Sequence, residues 1–107
     1  MSELLFKLLV GHAFADFVFQ TDFMAINKNR HAAVLAGFWP YVLSAHALVH
    51  GGFVFLATGS VWLGVAETVV HWAIDFGKCE KWYGIHSDQG LHIVFKFIWL
   101  WIASCGG

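Results

Sequence analysis

"HAFADFVFQ", residues 12–20, decides how the chain is read. His12, Asp16 and Gln20 stand at i, i+4 and i+8, with only Ala, Phe and Val between them. Four-residue spacing on a helix puts all three polar groups on one side, drifting slowly around the axis. The flanks, "LLFKLLVG" and "TDFMA", are largely apolar. A polar stripe therefore runs through a segment that water would not solvate.

The rest of the chain sets the medium. Of 107 residues, 59% are hydrophobic and 12% charged. Soluble domains carry about 25% charged residues, so too few remain here to coat a soluble surface around a greasy core. Apolar stretches recur at Leu4–Met24, Phe38–Thr58, Val61–Phe76 and Gly90–Ser104. A bilayer span needs about 20 such residues, within a range of roughly 17–25. The first two are long enough alone, and the last two reach spanning length with their flanks. The expectation is one all-α domain over 1–107: a membrane-embedded antiparallel four-helix bundle with helices at about 4–24, 38–58, 60–78 and 87–105. Glu3 precedes the first apolar run, and neither a basic leader nor a small-x-small site accompanies it. That run is therefore expected as the first helix, not a signal peptide.

The connections are short: "AINKNRHAAVLAG" (25–37), "TGS" (58–60) and "GKCEKWYGIHS" (77–87). Short links between adjacent spans imply antiparallel neighbours. Pro40 suits a first helical turn, where its missing N–H costs nothing. Lys28 and Arg30 lie in the first connection and Lys78 and Lys81 in the third, whereas the second has no basic residue. The positive-inside rule puts the first and third connections in the cytoplasm of a bacterial inner membrane, with Lys7 a weak dissent. Cys79 and Cys105 then lie near opposite faces and cannot pair. The net charge of −1 gives no hint of nucleic acid. Lipid is the expected partner, with a homo-oligomer left open.

Every other span carries its own polar pair. "HALVH" sets His46 and His50 at i, i+4; "HWAID" sets His71 and Asp75, then Lys78; "DQGLH" sets Asp88 and His92. At a rise of about 1.5 Å per residue, Asp16, His46, His71 and His92 share one depth, roughly 9–12 Å from the end bearing the first and third connections. His12 and His50 lie deeper, at roughly 18 Å, while Gln20, Asp75 and Asp88 lie within about 3–6 Å of that end. Ionisable groups in a span cost several kcal/mol and normally face the bundle interior. Neutral imidazole and carboxylate are ligands for zinc, manganese and iron, and an ion offsets the cost of burying aspartate. The candidate metal ligands are His12, Asp16, His46, His50, His71, Asp75, Asp88 and His92. Eight exceed what one tetrahedral ion needs, so two divalent ions are expected. A metal-free network of His–Asp hydrogen bonds is the structural alternative.

The patterns H-x3-D-x3-Q, H-x3-H, H-x3-D-x2-K and DQ-x2-H, spread over nearly the whole chain, resemble a family of small bacterial and phage membrane proteins labelled domain of unknown function 3307. The resemblance implies a polytopic membrane protein and no particular activity. More loosely, His and Asp arrayed on helices looks like the inner-membrane proteins predicted to be metal-dependent hydrolases.

Two metals lower the pKa of bound water and clamp the attacking and leaving oxygens of a phosphoester. On that reading Asp75 or Asp88 takes a proton from the water, Gln20 orients substrate or a ligand, and Lys78 holds phosphate at the mouth. The alternative is a metal-ion or proton carrier, for which only Glu67 and Lys96 would continue a path beyond His12 and His50. Bis-histidine haem would not use aspartates at i+4, and the Glu-x-x-His pairs of di-iron bundles do not occur.

Overall fold

The computed structural model describes residues 1–34 and 37–105. They form five helices and no strand: α1 (Ser2–Ala13), α2 (Asp22–Asn27), α3 (Trp39–Thr58), α4 (Val61–Cys79) and α5 (Ile85–Cys105). A π-helical segment, Phe14–Val18, follows α1 directly. The expected first connection, 25–37, includes residues 35 and 36, which lie outside the described residues.

The tightest joint is between α3 and α4. Gly59 ends α3 in the left-handed conformation, φ 74°, and its N–H donates to the Phe55 carbonyl at 2.7 Å. A residue without Cβ takes that conformation at no steric cost. Ser60 then caps α4, its side chain accepting from Leu63 N–H at 3.3 Å. Further along, Gly51 of α3 faces Gly64 of α4. A Cβ on Gly51 would come within 2.5 Å of the Gly64 carbonyl oxygen, and one on Gly64 within 2.9 Å of the Gly51 oxygen. Only glycine lets the two backbones approach this closely. In turn α1 packs against α3 and α5, and α4 against α5. The whole measures 44 × 23 × 21 Å.

The continuous helix expected over 4–24 is interrupted. Phe19 N–H donates to the Phe14 carbonyl at 2.8 Å, an i+5 bond that closes the π segment. Thr21 is extended, and its hydroxyl accepts from Met24 N–H at 3.2 Å to start α2. A threonine hydroxyl competes with the helical ladder and favours a cap. One π turn at Asp16 fits the tendency of such bulges to sit at functional positions.

Burial is inverted relative to an ordinary soluble domain. An apolar core of Leu8, Val54, Leu63, Trp99 and Leu100 fills the part of the molecule beside the α3–α4 turn. Beyond it many of the buried side chains are polar: His46, His50, His71, His92, Glu67, Asp75, Asp88 and Lys96 are all at or below about 2% exposed, among apolar Leu43, Ala47, Val42 and Ile74. Phe6, Phe17, Trp62 and Trp101 face outward, each at least 66% exposed. By length and composition one described helix, Trp39–Thr58, is long and apolar enough to cross a membrane. On its own α1 has 12 residues, and α4 carries Glu67, Asp75 and Lys78.

Candidate functional site

Helix geometry builds the site from four directions. His12 ends α1 and Asp16 sits inside the π segment; His46 and His50 stack on α3, His71 and Asp75 on α4, Asp88 and His92 on α5. One-turn spacing aims each pair inward, and the glycine contact brings α3 close enough for its rings to meet those of α4. The His50 and His71 rings stack with centroids 3.6 Å apart, and His71 and His92 at 4.2 Å. His12 lies against both His50 and His92, at 5.3 and 5.6 Å. All eight expected ligands thus join one connected cluster inside the protein.

The polar atoms fall into two kinds of contact. Some are ordinary hydrogen bonds: His50 Nε2 to Asp16 Oδ1 at 2.8 Å, and His12 Nε2 to Gln89 Oε1 at 3.0 Å. Others stand further off. His46 Nε2 is 3.3 Å from Asp16 Oδ1 and 3.6 Å from Asp75 Oδ2, His71 Nε2 is 3.7 Å from Asp75 Oδ2, and His92 Nε2 is 3.3 Å from Asp88 Oδ1. Buried and without a hydrogen-bond partner among the described residues are His46 Nε2, both ring nitrogens of His71, and Asp88 Oδ1. Buried polar atoms are ordinarily paired, because leaving one unpaired costs about 1–3 kcal/mol.

Ligand atoms from Asp16, His46, His50 and His71 all lie within 4.8 Å of one another, as do those of His71, Asp75 and His92. Bonds of about 2.0–2.2 Å to a tetrahedral ion put neighbouring ligand atoms about 3.3–3.6 Å apart. The longer His–Asp separations match that edge. His71 belongs to both groups, and each group has the donor types and spacing that a divalent ion takes.

Other expected residues have different surroundings. Gln20 lies in the break between the π segment and α2; its amide donates to the Asp16 carbonyl at 3.2 Å, and its buried Oε1 has no partner among the described residues. Lys78 is half-buried and makes no ion pair or hydrogen bond among the described residues. Asp75 is met by Lys28, whose Nζ donates to Oδ2 at 2.6 Å with both residues nearly inaccessible. The sequence pattern marks Lys28 only as a basic residue of the first connection. Its place follows from α2, the short helix the sequence reading missed, which ends at Asn27 and turns Lys28 inward.

Gln89, the second residue of "DQGLH", also enters the cluster. Its amide donates to Asp16 Oδ2 at 3.0 Å and, more weakly, to Asp88 Oδ2 at 3.4 Å. The available signal was spacing: Gln89 stands three residues before His92, on the same helix face. One turn from the cluster, Glu67 accepts from Lys96 and from Trp99 Nε1, the latter at 3.0 Å. At the other end, outside the cluster, Glu80 is held by Arg30 and by His31, the latter at 2.5 Å. The Arg30 hydrogen bonds keep the Glu80 carboxyl below its ordinary range.

Neither the curated proteins nor the solved structures include a match to this chain. A family model matches residues 4–104, which contain every residue of the cluster, and the chain belongs to that family, described as "Protein of unknown function (DUF3307)".

Proposed function

We propose that this is an integral membrane metalloprotein: an antiparallel four-helix bundle whose polar interior binds two divalent ions and hydrolyses a phosphoester or lipid-linked substrate. The observation that carries the metal reading is the pair of ligand groups sharing His71, each with its ligand atoms within 4.8 Å. The membrane reading rests on the inverted burial. Phe6, Phe17, Trp62 and Trp101 face outward while histidine, aspartate, lysine and glutamate are buried inside, as in spans with functional polar cores. Two of the charges on α4, Glu67 and Asp75, are buried within the protein. Basic Lys28, Arg30, Lys78 and Lys81 sit on the connections assigned to the cytoplasm of a bacterial inner membrane.

When bound, zinc, manganese or iron would supply a hydroxide at neutral pH and charge for the leaving oxygen. The chain's own residues divide the remaining work. Asp88 is the better base than Asp75, because its Oδ1 has no partner whereas Asp75 is tied to Lys28. Gln89 holds the Asp16 and Asp88 carboxylates at a fixed separation. Gln20, with its free Oε1, and Lys78 are left to meet substrate. The test is phosphate or headgroup release from mixed-lipid vesicles by detergent-purified protein, with and without chelator, alongside metal analysis by mass spectrometry. Metal-dependent release lost in Asp88→Asn supports the reading; bound metal without release removes the hydrolase, and protein purified without chelator that holds no metal leaves the hydrogen-bond network.

A second reading, a carrier of metal ions or protons, draws on Glu67 and Lys96. They are buried one turn beyond His71 and His92, so polar groups continue past the cluster. Ion flux across sealed proteoliposomes without hydrolysis would select it.

A further inference from the structure

The two ligand groups differ in one respect. Among the described residues the polar partners of the Asp16 carboxylate are histidines and Gln89, all of which can yield to or join an ion. Around Asp75 there is already a cation. Lys28 Nζ sits 2.6 Å from Oδ2, the same oxygen that faces His46 and His71 at 3.6 and 3.7 Å. A buried ammonium and a divalent ion neutralise a carboxylate in the same way, and at one oxygen they repel each other. Lys28 is also tethered. Asn27 beside it is buried, its Oδ1 accepting from Val34 N–H at 2.8 Å and its amide donating to the Phe23 carbonyl at 2.9 Å. Arg30 and His31 then fasten the following turn to Glu80, just past the end of α4.

We infer that Lys28 is a tethered counter-ion that occupies the His71/Asp75/His92 group in place of a metal, so that the two groups fill unequally and the second fills only when the 27–34 segment releases the lysine. This rests on the metal reading above and adds its regulation: the Asp16/His46/His50/His71 group is open to an ion, and the Asp75 group is gated. Lys28 is on this account a positioning residue, and the Arg30–Glu80–His31 clasp sets how readily it leaves.

The test is calorimetric titration of zinc or manganese ion alone into the detergent-purified chain. Wild type is expected to bind in two steps, the second weaker. Lys28→Met should tighten the second step at least tenfold and leave the first within twofold, while Lys28→Arg keeps the second step weak. Because Lys28→Met exposes a buried carboxylate to an apolar neighbour, its fold is checked by circular dichroism. Glu80→Gln, which alters the clasp and no cluster residue, should tighten the second step by a smaller factor. Equal second-step affinity in wild type and Lys28→Met, a single step in both, or an unchanged second step in Glu80→Gln where Lys28→Met does not fold, overturns the gate. Absence of any binding in wild type and variants removes the metal reading itself, a distinct result.

Discussion

His50 on α3 and Asp16 in the π segment share a hydrogen bond of 2.8 Å, the shortest histidine contact inside the cluster. It joins two elements that the i+5 turn at Phe14–Val18 brings into register. Asp16 is touched by His12, His46, His50 and Gln89, more partners than any other carboxylate in the cluster.

Asp16→Asn is therefore expected to abolish metal binding at the first group while keeping the shape of the side chain. Asp16→Ala should in addition leave several buried donors unpaired, at about 1–3 kcal/mol each, and lower the thermal midpoint. Metal content and thermal unfolding of both variants check this. Full metal content in Asp16→Asn would remove Asp16 from the ligand set.

Adjacent glycines on α3 should respond in opposite directions. Gly51→Ala drives a Cβ into the Gly64 carbonyl and Thr68, an overpacking that costs about 1–3 kcal/mol. Parting α3 from α4 also moves His46 and His50 off His71, so metal affinity should fall with stability. Gly52→Ala meets nothing within 4 Å and should gain stability, by up to about 1 kcal/mol from helix propensity. Thermal unfolding of the two variants side by side is the measurement, and equal effects would mean that close packing does not set the α3–α4 distance.

The clasp at Glu80 gives a pH dependence of known sign. Its carboxyl is held below the ordinary glutamate range by hydrogen bonds from Arg30, so the folded pKa lies below the unfolded one. Its contribution is then fully present above the unfolded value, near 4.5, and is lost as pH falls through the folded value. Wild type and Glu80→Gln should differ in thermal midpoint at pH 6 and converge in strong acid. A difference that grows as pH falls would contradict the assignment.

The helices and the cluster were legible in the sequence for one reason: spacing. His46/His50, His71/Asp75 and Asp88/His92 lie on unbroken helices, where i, i+4 fixes direction. The rule holds for His12 and Asp16 but fails beyond them, because the π turn shifts everything after it. Gln20, extrapolated as the next rung, instead falls in a bend and hydrogen-bonds the Asp16 backbone. The inward turn of Lys28 escapes the spacing rule for a related reason. The extended cap at Thr21 starts a short helix that no apolar period announces, and only that helix turns the lysine into the interior. Lys78, which does continue the His71/Asp75 spacing, ends half-buried, and the cation on Asp75 is Lys28.

The last prediction concerns topology, and it uses the chain's own thiols. Cys105 is exposed near the end of α5, whereas Cys79 is buried at the end of α4. If the basic connections face the cytoplasm, the end of α5 faces outward. A membrane-impermeant maleimide added to intact cells should then label wild type at Cys105. His86 is exposed in the first turn of α5, at the opposite end of that helix. A His86→Cys/Cys105→Ser variant should stay unlabelled until the cells are opened. The helix that carries both positions has 21 residues and sets them about 28 Å apart at 1.5 Å per residue, enough to separate them by one hydrocarbon layer. Labelling at position 86 but not 105 would reverse the orientation and leave the bundle standing. Labelling at both would mean that α5 does not cross the bilayer, and the outward-facing Phe97 and Trp101 would then need a protein partner in place of lipid.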